Sequence, residues 1–177
     1  AKVELKPRID VTKVAPEGLR PLQALEAYVH HHTALEPALA ELVRLRASQI
    51  NGCAYCLDMH SKDARLAGET EQRIYGLSAW REAPYYSERE RAALAWTEAV
   101  TLLPQTHASD DVYEALKAQF SDEEQVTLTL LIEGVIFFLF GYRKRASWIV
   151  FLCTNIVTQG MLYVSLSGEY YPLVNNY

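Results

Sequence analysis

Apolar residues recur at helical spacing along much of this chain of 177 residues, and this periodicity limits the fold more than any other feature. Leu22, Leu25 and Val29 repeat three or four residues apart, as the buried face of an amphipathic helix requires. Two further helical stretches open with the capping-box spacing of serine and glutamate, at Ser87–Glu90 and Ser121–Glu124. No convincing two-residue alternation occurs before residue 145, so the sequence predicts an all-α fold, with the first 15 residues as an extended arm.

A helix break separates two of the predicted helices. The first covers residues 36–50, with Pro37 in its first turn, where proline is well tolerated. Asn51 and Gly52 mark its end, because glycine readily adopts the left-handed conformation of a helix C-cap. The second runs from about residue 53 to residue 67. Two helices joined by so short a link are expected to fold back as an antiparallel hairpin.

The composition narrows the classes of function. Three cysteines, at positions 53, 56 and 153, are too few for the disulfide framework of a secreted domain, so we expect a reducing, cytoplasmic compartment. The polar amino-terminal residues lack the apolar core of a signal peptide. The net charge is −5 and no stripe of basic residues with interleaved aromatics is present, which argues against a nucleic-acid partner.

One segment concentrates reactive side chains. Cys53, Cys56 and His60 share one face of the predicted second helix, where Cys56 and His60 lie one turn apart. Cys53 and Cys56 can close a disulfide if the first turn adapts. In an antiparallel hairpin, Glu41 of the preceding helix lies close to His60. A thiol, an imidazole and a carboxylate in line are the parts of an activated nucleophile.

Other readings of the same residues stay open. Zinc is a serious rival, with Cys53, Cys56 and His60 as three ligands and either Glu41 or the histidine run at 30–32 as the fourth. The cysteines can also be ordinary core residues. A thioredoxin fold is not supported, because it would need a βαβ pattern around the two cysteines.

The stretch ELVRLRASQINGCAYCLDMHSKDAR closely resembles the active-site segment of the alkylhydroperoxidase D-like family, within the carboxymuconolactone decarboxylase superfamily. The family signature is a glutamate, eleven residues, CxxC, three residues and a histidine, which here gives Glu41, Cys53, Cys56 and His60. The resemblance extends over about residues 3–132. It implies an all-helical trimer or hexamer without flavin, haem or metal cofactor. It also implies reduction of hydrogen peroxide or small organic hydroperoxides, with an external thiol reductant such as dihydrolipoamide on a lipoyl protein.

The roles of the two thiols follow from competing effects. Cys53 is nearer the helix N-terminus, where the dipole stabilises a thiolate by about 0.3–1 kcal/mol. Cys56 has His60 one turn away, and a positioned base is typically worth about 10²–10⁴ in rate. The effect of the base is the larger, so Cys56 is the predicted nucleophile. The resemblance implies the same roles, with Cys53 as resolving thiol, His60 as base and Glu41 orienting the imidazole. Tyr55 replaces a histidine of the best-known peroxidases and is a candidate auxiliary residue.

The carboxyl-terminal part differs in character. We expect a family-like helical domain over residues 1–142 and an atypical apolar extension over residues 143–177, since the resemblance ends at Ile132. Two apolar runs around the basic residues 143–145 allow a membrane hairpin, but Glu133 and the capped helix start favour a buried or oligomer-facing segment. The amount of apolar sequence also predicts a homo-oligomer. The alternative function is a non-catalytic redox- or metal-sensing thiol module, or a membrane-associated variant.

Overall fold

The structure, a computed structural model, describes residues 10–31 and 35–141. Within these ranges the chain is helical and contains no strand, which confirms the all-α prediction. The α-helices are α1 (Val11–Val14), α2 (Pro16–His31), α3 (Pro37–Asn51), α4 (Ala54–Leu66), α5 (Glu71–Gly76), α6 (Glu88–Thr101), α7 (Leu103–Thr106), α8 (Asp110–Lys117) and α9 (Asp122–Gly141). A 3₁₀ turn, Leu77–Ala79, continues α5.

Local hydrogen bonds fix where the helices begin. At α6, Ser87 Oγ accepts from the Glu90 backbone N–H at 3.2 Å, and the Glu90 carboxylate accepts from the Ser87 N–H at 2.7 Å. Ser121 and Glu124 make the same reciprocal pair at α9, at 3.3 and 2.8 Å. Both capping boxes predicted from the sequence are therefore formed, and each satisfies two N–H groups that a helix start leaves unpaired.

Helix α3 is the central element of the described fold. It packs against α4, α6 and α9, and it contributes to both apolar clusters of the core. Its buried residues are Leu39, Ala40, Leu42, Val43, Arg44, Leu45, Ala47 and Ser48. Gly52 ends the helix at φ 63°, and its backbone N–H donates to Gln49 O, which is the C-cap predicted for this position. The chain then reverses into α4, so the expected helical hairpin is present.

Two local predictions need correction, and one short helix was not predicted. In the described part of the arm that was expected to be extended, residues 11–14 form the short helix α1, in which Lys13 and Val14 donate backbone hydrogen bonds to Asp10 O. Helix α7 is a single turn with proline near its start, too short to give a periodic signal. Cys53 is the N-cap of α4 rather than its first helical residue, because the reversal at Gly52 leaves it with extended backbone angles.

The carboxyl-terminal extension predicted for residues 143–177 lies outside the described residues. None of the helices in the described ranges is both long and apolar enough to cross a membrane. The first of the two apolar runs belongs mostly to α9, and the second run falls in the part of the chain that is not described.

Candidate active site

The two cysteines meet at the start of α4. Cys53 has extended backbone angles, and its Sγ accepts a hydrogen bond from the Cys56 backbone N–H at 3.3 Å, so the thiol itself caps the helix. Both thiols are free. Cys53 is partly exposed, whereas Cys56 is only 4% exposed. The pair is therefore asymmetric, with one sulfur near solvent and the other inside the fold.

Burial and then the neighbouring Cys53 thiol raise the pKa of Cys56 to about 12. Cys56 is thus a thiol at neutral pH, and it can attack only if a base takes its proton. The sequence places His60 within reach, but the described part of the structure records no hydrogen bond between Cys56 Sγ and the imidazole. Instead, His60 Nδ1 is hydrogen-bonded to a residue of α3.

That residue is Glu41. Its Oε2 lies 3.0 Å from His60 Nδ1, and both side chains are largely buried between α3 and α4. The antiparallel hairpin thus brings these residues together as predicted from the sequence. Burial alone would raise the pKa of Glu41, but the hydrogen bond from His60 and the charge of Arg44 outweigh it and hold the pKa below its ordinary value. An ionised carboxylate only accepts, so Nδ1 carries the hydrogen of this contact, and in a neutral ring the lone pair is then on Nε2.

Three further residues at the site were not predicted from the sequence. Arg44 donates from Nη1 to Glu41 Oε1 at 2.6 Å and from Nη2 to Glu26 Oε1 at 2.6 Å. Asp63 stands one turn after His60 on α4. The spacing of three residues, from Glu41 to Arg44 and from His60 to Asp63, is the signal that could have found two of them. Glu26 lies in α2, and helical spacing within α3 and α4 does not reach it.

The ligand atoms that converge differ from those of the zinc hypothesis. Within the described part of the chain, one atom each of Glu41, His60 and Asp63 lies within 4.8 Å of the others. Neither cysteine belongs to this group. The histidine run at 30–32 is only partly described, and His30 lies on the cavity wall described next. A cation bound among the three converging residues would be held by two carboxylates and an imidazole, not by thiolates.

A cavity of about 880 Å³ opens beside these residues, bounded mainly by α2, α3 and α4. Cys56, His60, Glu41 and half-exposed Tyr55 line it, whereas Cys53 does not. The apolar part of the wall includes Ala27, Val29, Leu35, Pro37, Ala40, Met59 and Leu66. The more buried sulfur of the pair therefore faces a mainly apolar space that can admit a small molecule.

Comparisons with known proteins identify a family profile, similar sequences and a similar crystal structure. The profile of the carboxymuconolactone decarboxylase family matches residues 16–99. Uncharacterized protein YdfG of Bacillus subtilis is 41% identical over 128 residues, covering 72% of this chain and 86% of YdfG. Uncharacterized protein YnjA of Escherichia coli is 31% identical over 98 residues, covering 55% of this chain and 53% of YnjA. A crystallised protein of unknown function from Agrobacterium tumefaciens, provisionally called antioxidant defence protein AhpD, superposes with a TM-score of 0.73 at 45% identity, covering 79% of this chain and 97% of that one.

Proposed function

The chain belongs to the carboxymuconolactone decarboxylase family, in its alkylhydroperoxidase D-like branch, and on that premise we propose that it is a thiol-dependent peroxidase of antioxidant defence. The observation that carries the proposal is the position of Cys56 on a cavity wall that also holds the hydrogen-bonded pair His60 and Glu41. A nucleophile, a base and a group that orients the base are the parts that this chemistry requires. The proposed substrates are hydrogen peroxide and small organic hydroperoxides.

In the proposed reaction, Cys56 Sγ attacks one peroxide oxygen. The S–O bond forms as the O–O bond breaks, so the thiol is oxidised to a sulfenic acid and the peroxide is reduced to water or an alcohol. Cys53 Sγ then attacks the sulfenic sulfur, which forms the disulfide and releases water. A dithiol such as dihydrolipoamide on a lipoyl protein restores both thiols through a mixed disulfide. The two cysteines are the only groups of the protein that change oxidation state in this scheme, so it needs no flavin, haem or metal.

The base is essential to this scheme because the pKa of Cys56 is raised to about 12. As peroxide enters the cavity, His60 Nε2 takes the thiol proton and returns it to the departing alkoxide. The distance from His60 to Cys56 must shorten for this step, and catalytic hydrogen bonds often tighten only once substrate is bound. Tyr55, on the same wall, can supply a hydroxyl hydrogen bond to the peroxide.

The decisive experiment combines turnover with trapping. Purified protein is assayed for peroxide consumption with several reductants, dihydrolipoamide among them. Cys56→Ser should abolish consumption. Cys53→Ser should react once and stop at a sulfenic acid on Cys56, which a dimedone probe labels for mass spectrometry. Cys153→Ser, which removes the third thiol, serves as the control and should retain turnover.

Two outcomes would overturn the assignment of roles. Dimedone label on Cys53 in the Cys56→Ser variant would show that Cys53 is the nucleophile and Cys56 the resolving thiol. This outcome is a real alternative, because Cys53 is the more exposed thiol of the pair and lies at the start of the helix, where its Sγ accepts the Cys56 N–H hydrogen bond. Full turnover in the Cys53→Ser/Cys56→Ser variant would remove the cysteine pair from the reaction altogether.

A metal-binding module is the second candidate, and the convergence of Glu41, His60 and Asp63 is the observation that favours it. Zn²⁺ is titrated into the Cys53→Ser/Cys56→Ser variant, with and without Asp63→Asn. Tight binding that survives loss of both thiols and disappears with Asp63→Asn would support this candidate. Stoichiometric zinc in protein purified without added metal would count against the peroxidase.

A further inference from the structure

Four charged or ionisable side chains form a continuous chain through the site. Glu26 Oε1 lies 2.6 Å from Arg44 Nη2, and Arg44 Nη1 lies 2.6 Å from Glu41 Oε1. Glu41 Oε2 lies 3.0 Å from His60 Nδ1. The chain begins on α2, crosses α3 and ends on α4. Each oxygen of Glu41 thus has its own partner, and the two partners are different residues.

Arg44 is the least exposed member, at 6%. A buried guanidinium needs an anionic partner, and here its fork bridges two carboxylates. Glu26 is half exposed, at 50% for its side chain, whereas Glu41 is 12% exposed. Because exposed ion pairs contribute little, the Arg44–Glu41 contact is the stronger of the two.

The fork has a consequence for the imidazole. Burial favours the neutral form of Glu41, and the charge of Arg44 is one of the effects that oppose burial. With Oε1 held by Arg44, the remaining oxygen Oε2 is fixed as the acceptor for His60 Nδ1. A protonated Glu41 could instead donate to Nδ1, and the ring hydrogen would then lie on Nε2. That tautomer could not accept a proton from Cys56 at Nε2.

We propose that Arg44 is a positioning residue that acts through Glu41 to keep His60 in the Nδ1–H tautomer, with Nε2 available as a base. Glu26 supports it by holding the second arm of the fork. The relevance to catalysis rests on the proposed peroxidase function, but the tautomer is a property of the folded protein alone. A merely structural ion pair would stabilise the fold without affecting the imidazole.

The test is ¹⁵N NMR of the His60 ring in the Cys53→Ser/Cys56→Ser background, in which no thiol chemistry occurs. The parent should show protonated Nδ1 and unprotonated Nε2 at neutral pH. Arg44→Gln should give a mixture of tautomers, and Glu26→Gln a smaller change. Arg46→Gln is the matched control, because Arg46 lies on the same helix and pairs with a different carboxylate, Glu98. It should leave the ring signals unchanged.

The peroxidase assay, with both thiols present, gives the second readout. Arg44→Gln should lower kcat/KM by tenfold or more, because Glu41 would no longer hold His60 with Nε2 available as the base. Arg44→Lys keeps the charge but not the fork, so it should recover only part of the loss. If the parent has no peroxidase activity, the proposed function fails while the NMR result still decides the role of Arg44.

Identical His60 signals in the parent and in Arg44→Gln would overturn the proposal and leave Arg44 as a structural ion pair. If Arg44→Gln does not fold, Arg44→Lys decides in its place. A single ammonium does not reproduce the two-armed contact, so mixed tautomers are expected in this variant too. A ring signal unchanged from the parent in Arg44→Lys would overturn the proposal equally.

Discussion

At the scale of single residues, the two cysteines have the same chemistry but different surroundings. Cys56 is buried, and burial followed by the Cys53 contact raises its pKa to about 12. Below that pH the thiolate fraction increases tenfold for each pH unit. We therefore expect alkylation of Cys56 by iodoacetamide, followed by mass spectrometry, to accelerate about tenfold per unit from pH 7 to pH 10. A rate that levels off near neutral pH would show that the thiol is more acidic than its burial indicates.

Glu41 gives a residue-scale prediction about stability. Its folded-state pKa is lowered from the ordinary value of 4.5, after the opposing effect of burial is outweighed by His60 and Arg44. The ionised carboxylate therefore stabilises the fold above pH 4.5, and this contribution is lost as the pH falls through the lowered pKa. It amounts to about 1.4 kcal/mol for each unit of lowering.

Urea denaturation of the parent and of Glu41→Gln measures this contribution. The parent should be the more stable at pH 7, and the difference in free energy of unfolding should shrink steadily below pH 4.5. Asp58→Asn, an exposed carboxylate of α4 paired with Lys62, is the control and should change little. A difference that stays constant with pH would mean that the pKa of Glu41 is the same in the folded and the unfolded protein.

At the scale of helices, the turn between α3 and α4 decides where the site residues meet. Gly52 has φ 63°, and a Cβ at this position would contact nothing within 4 Å, so any cost of a side chain is conformational. We expect Gly52→Ala to destabilise the protein by about 1 kcal/mol and lower Tm by roughly 2–4 °C. Asparagine tolerates the left-handed region better, so Gly52→Asn should cost less.

Gly18→Ala is the matched control for this measurement. Gly18 lies inside α2 and also has open space around a Cβ, but its φ is not left-handed. Alanine is the better helix former, so this change should stabilise the protein by roughly 0.5–1 kcal/mol. Opposite signs at Gly18 and Gly52, measured by calorimetry, would attribute the effect to backbone conformation. Equal signs would point instead to a packing effect.

The helices also show which parts of the site could be read from the sequence. Glu41 and His60 could be paired from the sequence, because Gly52 predicts where the chain reverses. The position of this turn determines which residues of α3 lie beside which residues of α4. The three-residue spacing makes Arg44 a possible partner of Glu41, but it does not say which of the charged residues on α3 is buried. Its second partner, Glu26, belongs to α2, and only the tertiary fold brings that residue to Arg44. The cap formed by Cys53 was missed for a local reason. The chain reversal uses both Gly52 and Cys53, so α4 begins one residue later than the sequence predicted.

At the scale of the whole molecule, the predicted assembly remains to be tested. Several large apolar side chains in the described part of the chain are exposed, with Leu66 at 87%, Tyr75 at 72% and Val126 at 60%. Such exposure marks contact surfaces when the residues are contiguous. We expect a trimer or hexamer in analytical ultracentrifugation, for the full chain without added detergent. A soluble monomer across micromolar concentrations would contradict this, and recovery only with membranes would favour the hairpin hypothesis.

The cap formed by Cys53 links the electrochemistry of the pair to the start of a helix. The hydrogen bond from the Cys56 N–H to Cys53 Sγ is described for the free thiols, and a disulfide sulfur is only a weak acceptor. If closure of the disulfide weakens the cap, the loss is about 0.5–1 kcal/mol, typical of a modest N-cap. Since 1.4 kcal/mol corresponds to about 30 mV in a two-electron couple, the cap raises the reduction potential by roughly 10–20 mV. In that case the first turn of α4 itself favours the dithiol over the disulfide.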